Sequence, residues 1–290
     1  GNRTLDANTT ADNNTAVGYA AMSQNSTGAN CTAVGLNALY SNTTGNSNNA
    51  FGYESLTDNT TGTQNCAFGH EALEDNTTAD NNAAFGFRAL RLNTTGANLV
   101  AVGSQSLKEN TTGNNSTACG MQALRDNTTG VDNTAVGLNA LRLNSTGSYN
   151  VAVGTAALDA NTTADHNTAI GHYALKGNTT GGPWTCVGYQ AGYNKGDGGS
   201  GNGTAVGYQA LYASGGPVKN TAIGYQSLYA TTNYGDNNTG LGYRSLYNNT
   251  SGADNTAVGK ETLESCTTGY DNTAIGREAL HAVTTGVKNT

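Results

Sequence analysis

Eleven asparagines stand two residues ahead of a threonine at a constant spacing: Asn8, Asn25, Asn42, Asn59, Asn76, Asn93, Asn110, Asn127, Asn144, Asn161 and Asn178. Each Asn-x-Thr triplet is an acceptor sequence for N-glycosylation, and Asn249, followed by Thr250 and Ser251, is a further candidate. The chemistry on offer is attachment of a sugar to the side-chain amide, and repeated sugars would sheathe one edge of the molecule. An architectural alternative stands beside it. Asn tolerates a left-handed turn, Gly completes the bend, and the threonine pair is simply strand. Thr267-Thr268 and Thr284-Thr285 persist where the Asn has become Cys266 and Val283, so the threonines have a use of their own.

A second set of candidates is aromatic. Ten of the fifteen tyrosines follow residue 187. Tyr189, Tyr208, Tyr225 and Tyr243 share one place in the repeat, and Tyr193, Tyr212, Tyr229 and Tyr247 share another. Two columns over four consecutive repeats either stack as internal stabilisers or form a rigid amphipathic patch for surface carbohydrate or a host protein. Trp184, the only tryptophan, lies nearby in a Gly-rich stretch and joins these candidate ligand contacts. That stretch, 181–203, has no Gly-Lys-Ser/Thr of a phosphate loop, its segment 198–203 lacks the Asp of a calcium-binding nonapeptide, and it reads as a bulge between regular segments. The threonine columns also raise an ice-binding surface as a minor alternative, though Lys108, Arg142, Glu74, Asp75 and Asp126 interrupt the neighbouring positions.

Other chemistries are not supported. His70, His166, His172 and His281 are scattered without a recurrent carboxylate or cysteine, so neither a zinc site nor a nucleophile with its base can be assembled. No catalytic residue, metal or cofactor is expected. Asp12, Asp80 and Asp165 recur at one position and read as solvated turn carboxylates. Cys31, Cys66, Cys119, Cys186 and Cys266 fall at five different places in the repeat and read as small apolar substitutes rather than disulfide partners. A net charge of −7 with 13 Lys and Arg spread thinly gives no basic stripe for nucleic acid. The longest apolar run, Leu99-Val-Ala-Val102, is far too short for membrane insertion. The chain reads as an excerpt of a longer protein, with any export signal or anchor lying elsewhere.

The elements that position these residues follow from the period. Counting from the Gly of Ala-Val-Gly, glycines recur at 1, 18, 35, 52, 69, 86, 103, 120, 137, 154, 171 and 188, then at 207, 224, 242, 259 and 276. The consensus is Gly-x-x-Ala-Leu-x-x-Asn-Thr-Thr-Gly-x-x-Asn-Thr-Ala-Val, 17 residues long. Two glycines per repeat and a middle of Asn, Thr and Gly exclude helix. Short identical segments at constant spacing predict coils stacked in register: an all-β, parallel β-solenoid or β-roll of seventeen coils. Residues 1–180 are expected to form a regular solenoid with the Asn-Thr-Thr ladder, 181–203 an irregular Gly-rich coil, and 204–290 a continuation bearing the tyrosine columns. A second Asn ladder precedes the strand, at Asn14, Asn48, Asn65, Asn82, Asn133, Asn150, Asn167, Asn220, Asn255 and Asn272. The expected core is the apolar residue just before the Gly, the small residue two before it, and the Ala and Leu three and four after it. So thin a core predicts lateral association into a homo-oligomer, a trimer or fibril.

The segments Asn14-Thr-Ala-Val-Gly18, Asn133-Thr-Ala-Val-Gly137, Asn167-Thr-Ala-Ile-Gly171 and Asn272-Thr-Ala-Ile-Gly276 resemble the head repeats of trimeric autotransporter adhesins of the YadA type and related repeats of phage tail fibres. The resemblance covers nearly the whole chain, with a period longer than the family's usual repeat. It implies a left-handed parallel β-roll, trimerised along its length and used for attachment. The corresponding expectation is a noncatalytic fibre or adhesin segment, extracellular on a cell or virion surface, acting as a rigid rod for attachment or spacing. The competing expectation is an N-glycosylated structural filament.

Overall fold

The computed structural model describes residues 1–194, 202–213, 219–232 and 235–290. The chain divides into two compact units, Gly1–Thr146 and Gly147–Thr290. The first holds eight strands, from β1 (Thr15–Val17) to β8 (Thr134–Val136), and the second eight more, from β9 (Val151–Val153) to β16 (Thr273–Ile275). Within each unit successive strands pair in parallel and in register, Thr15 with Thr32, Ala16 with Ala33, Val17 with Val34. The fold is the expected parallel β-solenoid, and the described residues contain no helix. Each strand precedes a repeat glycine from Gly18 to Gly276, so the seventeen glycines yield sixteen strands. The surface boundaries expected near 181 and 204 both lie inside the second unit. There β11 (Trp184–Val187) pairs in register with β12 (Gly203–Val206), and residues 195–201 of the Gly-rich stretch lie outside the described residues.

Three-residue strands leave one inward position each. Successive strand residues point to opposite faces, and the inward place belongs to alanine, as at Ala33, Ala84 and Ala135, all fully buried. The expectation that the next residue also packs inside is therefore corrected. Val17, Phe68, Val136 and Ile170 point outward and are 57%, 38%, 37% and 40% exposed. Two adjacent strand residues cannot share one face, and the small alanine takes the core because little space remains inside so narrow a coil. The Ala and Leu of the next bend are buried as expected, Ala123 and Leu124 among them.

The bend after each strand has a backbone requirement. The repeat glycines have φ between +120° and +145°. A Cβ on Gly86 would lie 2.6 Å from the carbonyl oxygen of Gly103, so the side chain is excluded both by φ and by the next coil. The buried leucines also adopt left-handed backbone, with φ of 54° at Leu39 and 51° at Leu124. That conformation costs roughly 1–2 kcal/mol for an L-residue, and burial of the leucine, worth about 1.5–3 kcal/mol, offsets it. Where the leucine is missing, at Gly192, a Cβ would lie 2.7 Å from Cys186 Sγ. Cys186 replaces the usual inward alanine and occupies the space the leucine leaves.

Inside-out placement has a direct consequence. Leu124→Ala is expected to lower stability by about 2–5 kcal/mol, whereas Val136→Ala, acting on a half-exposed side chain, lowers it by no more than about 1 kcal/mol. Urea unfolding of the two variants checks this, and equal losses would contradict the assignment of faces.

Candidate functional site

The candidate glycan acceptors lie inside the coil. Asn25, Asn42, Asn59, Asn76, Asn93, Asn110, Asn127, Asn144, Asn161, Asn178 and Asn249 are all 0% exposed. Asn59 shows the pattern: Nδ2 donates to the Gly62 carbonyl at 3.0 Å and to Asn42 Oδ1 at 2.9 Å, while its own Oδ1 accepts from Asn76 Nδ2 at 2.9 Å. N-glycosylation replaces one of the two Nδ2 hydrogens, and here both are used within the coil. The sequon column is thus corrected to an internal amide ladder. Asn8 is exposed, and its Nδ2 donates to the Ala11 carbonyl at 3.2 Å.

The second Asn column is internal as well. Asn48 Nδ2 donates to the Gly62 carbonyl at 2.7 Å, and its Oδ1 accepts the Asn65 backbone N–H at 3.0 Å. A single carbonyl, Gly62, therefore joins the two ladders. Cys31 stands in this second column and imitates the amide, its Sγ accepting the Asn48 N–H and facing the Gly45 carbonyl, each at 3.4 Å.

The threonine pair divides its labour. In Thr43, Thr60 and Thr77 the first hydroxyl of the pair donates to the corresponding carbonyl one coil on, at 3.0 to 3.1 Å. Only the second threonine, as at Thr44 and Thr61, is exposed. An ice-binding array keeps one hydroxyl column of the two, which removes support from that alternative. The recurrent aspartates are not merely solvated turn groups. Asp80 Oδ1 accepts the Thr63 N–H at 2.6 Å, and Asp165 Oδ1 accepts the Ser148 N–H at 2.6 Å, each holding the preceding coil. Among the described residues no group of three or more His, Cys, Asp or Glu is placed to hold a metal ion, and none of the five cysteines forms a disulfide.

With the interior so occupied, the outward columns are the surfaces available for recognition. In the first unit the residue before each repeat glycine and the residue after it form a largely apolar face, interrupted in the second position by His70 and Ser104. Phe51, Phe68 and Phe85 stack at 4.4 and 5.2 Å with interplanar angles of 8°. Beside them Tyr53, His70 and Phe87 form a second column at 4.8 and 5.5 Å. Leu36, Met121 and Leu138 extend it, 41%, 51% and 40% exposed. This face was not anticipated, because its valines and phenylalanines were assigned to the core; strict period-two reading of the strand is the signal that reveals it.

In the second unit the tyrosines are columns, as expected. Tyr189, Tyr208, Tyr225 and Tyr243 stack at 5.1, 5.0 and 5.2 Å. Tyr193, Tyr212, Tyr229 and Tyr247 stack at 5.2, 5.1 and 5.1 Å. Gln190, Gln209 and Gln226, which no sequence signal had singled out, form an amide chain beside them: Gln209 Nε2 donates to Gln190 Oε1 at 2.8 Å, and Gln226 Nε2 to Gln209 Oε1 at 2.9 Å. Burial and the neighbouring phenols push the Tyr229 hydroxyl pKa up, Tyr212 and Tyr247 of its own column and Tyr208 of the other all contributing. Trp184 does not belong to this surface. It is 1% exposed and packs on Gly203, where a Cβ would lie 2.1 Å from its ring, so its place among ligand contacts is corrected to a core role.

One charged cluster accompanies the apolar face of the first unit. Arg88 Nε donates to Glu71 Oε2 at 2.7 Å, and Arg91 Nε lies 2.9 Å from the same oxygen and 2.6 Å from Glu74 Oε2. The Arg88 hydrogen bond, reinforced by the charges of Arg88, Arg91 and His70, holds the Glu71 carboxyl below its ordinary value, with burial opposing.

Two measurements follow from this arrangement. A carboxyl depressed in the folded state contributes stability above its unfolded pKa and loses it as pH falls through the folded one. Stability should therefore decline on acidification below about pH 4.5, and Glu71→Gln should flatten that decline; an unchanged profile would contradict the assignment. Asn93→Ala, which strips the ladder of a donor and an acceptor, is expected to cost at least about 2 kcal/mol in urea unfolding; a neutral substitution would show that the amides do not hold the coils. No protein-family model, curated protein or solved structure matches the chain, so its functional reading stands on these surfaces.

Proposed function

We propose that the chain is a noncatalytic extracellular fibre or adhesin segment: a rigid repeat rod, displayed on a cell or virion surface, whose copies associate laterally. The observation that carries this reading is the outward apolar face of the first unit, where Phe51, Phe68 and Phe85 stack, the last two 38% and 39% exposed, beside Phe87 at 41%. Contiguous exposed apolar surface marks association, and a solenoid repeats the same contact at every coil, so a shallow interaction sums along the rod. A second and third copy of the chain are the partners that match this repeat without a change of register. The resemblance to trimeric adhesin heads supports a trimer, and the internal amides supply the stiffness a spacer requires.

The glycosylated-filament alternative loses its acceptor column to the core and is not carried forward. What an associated rod does at its remaining surfaces is attach, and the tyrosine columns of the second unit are the surface most unlike a passive spacer.

Sedimentation of the full chain at micromolar concentration tests lateral association. A trimer is expected, and the double variant Phe68→Glu, Phe85→Glu is expected to sediment as a monomer of 29.5 kDa. A monomeric parent chain would overturn the proposal.

A further inference from the structure

The tyrosine columns and the glutamine chain of the second unit form one surface. Arg244, which takes the place of Gln226 one coil on, lies 4.1 Å from the Tyr247 ring. Tyr173, in the same place before Gln190, lies 3.8 Å from His172 and 6.0 Å from Tyr193. The glutamine position therefore runs between the two tyrosine columns, flanked by both. No charged residue interrupts these three positions over the coils from Tyr189 to Tyr229. Cations close the ends: Lys176 lies 4.5 Å from the Tyr173 ring and 5.7 Å from the Tyr193 ring, and Lys260 lies 5.6 Å from the Tyr243 ring.

The rings stack on one another, so their faces are covered and their edges and hydroxyls are what a ligand meets. Among the described residues these hydroxyls have no hydrogen-bond partner. Each linked glutamine amide also retains a donor hydrogen and an acceptor lone pair beyond those used in the chain. The result is an uncharged grid of donors and acceptors on an apolar floor, repeating every 5.0 to 5.2 Å along the column.

We infer that this surface binds a linear, uncharged, β-linked polysaccharide laid along the tyrosine columns, one sugar unit to each coil. The period decides the class. One pyranose of an extended β-linked glycan advances by about the separation of successive tyrosines, so each sugar sits over one coil, with alternate units presenting opposite edges to the same kind of hydroxyl and amide. An extended polypeptide advances ~3.3 Å per residue with side chains alternating, so about three residues span two coils and successive coils meet different parts of its repeat. Single-stranded nucleic acid needs open aromatic faces and a cationic groove, and here the faces are closed and the chain carries a net charge of −7. Sugar hydroxyls, each both donor and acceptor, complement phenols and amides in either orientation.

This inference rests on the attachment reading of the rod; its tyrosines belong to the second unit, whereas the association of copies is argued from the phenylalanines of the first. Calorimetric titration of the full chain with cellobiose, cellotetraose and cellohexaose tests it, with maltohexaose as the α-linked control and sedimentation of the same samples recorded in parallel. Cellotetraose is expected to bind at least about tenfold more tightly than cellobiose, with maltohexaose silent. The double variant Tyr208→Phe, Tyr225→Phe, which keeps the stacks and removes two hydroxyls, is expected to weaken cellohexaose binding about tenfold. Absence of cellohexaose binding, equal affinity for cellobiose and cellotetraose, or an unaffected double variant would each overturn the inference. Loss of association with glycan binding intact would overturn only the lateral-association proposal.

Discussion

Side-chain amides buried along the axis are the interaction on which the rest of this molecule depends. An amide taken out of water without partners costs about 1–3 kcal/mol for each unsatisfied group, and every coil encloses as many as two. They are tolerable because nearly all find partners in their own or an adjacent coil, Asn59 in Asn42 and Asn76, Asn48 in Gly62 and Asn65, with Asn178 Oδ1 the exception at the end of the regular column. That arrangement works only at a fixed register. A coil lengthened or slipped by one residue would move an amide off its partners and leave it buried and unpaired. The constancy of the period is thus a requirement of the interior, and substitutions within it keep the same contacts, as Cys31 does with its sulfur.

Apart from Trp184 and Met22, which are buried, an interior committed to amides, alanine and one leucine per coil has no space for the larger apolar side chains. They go outside, where register turns them into columns. The same translation that satisfies the amides stacks Phe51 on Phe68 on Phe85 in one unit and tyrosine on tyrosine in the other. Surface chemistry can then change from coil to coil without disturbing what holds the coils together. Phenylalanine columns lend themselves to association of like copies, and tyrosine and glutamine columns to a ligand with a matching repeat.

Much of the architecture was legible because repetition is a strong signal. Period, parallel pairing, register, buried Leu124 and the tyrosine columns all follow from residues recurring at one spacing. What was not legible concerned direction. Val136 and its equivalents are apolar and regular, which are the usual marks of core, yet the neighbouring alanine already holds the only inward place in the strand. Asn59 and its equivalents look like turn residues in an acceptor sequence, and nothing local says that the turn faces inward. The left-handed backbone at Leu39 and Leu124 is invisible in sequence, since leucine rarely adopts it and does so here only because the coil buries the side chain. Trp184 was misplaced for the same reason: its partner, Gly203, is recognisable only once the two are known to be paired across strands.

The central claim is that asparagine amides, rather than an apolar core, set the register of the coils. Nuclear magnetic resonance of the chain labelled with nitrogen-15 at asparagine observes those amides directly. The account predicts a large set of dispersed side-chain NH2 pairs, from both asparagine columns, that exchange slowly with deuterium while Asn8 exchanges fast. Side-chain amides that exchange uniformly fast and cluster at the shifts of solvated asparagine would contradict it.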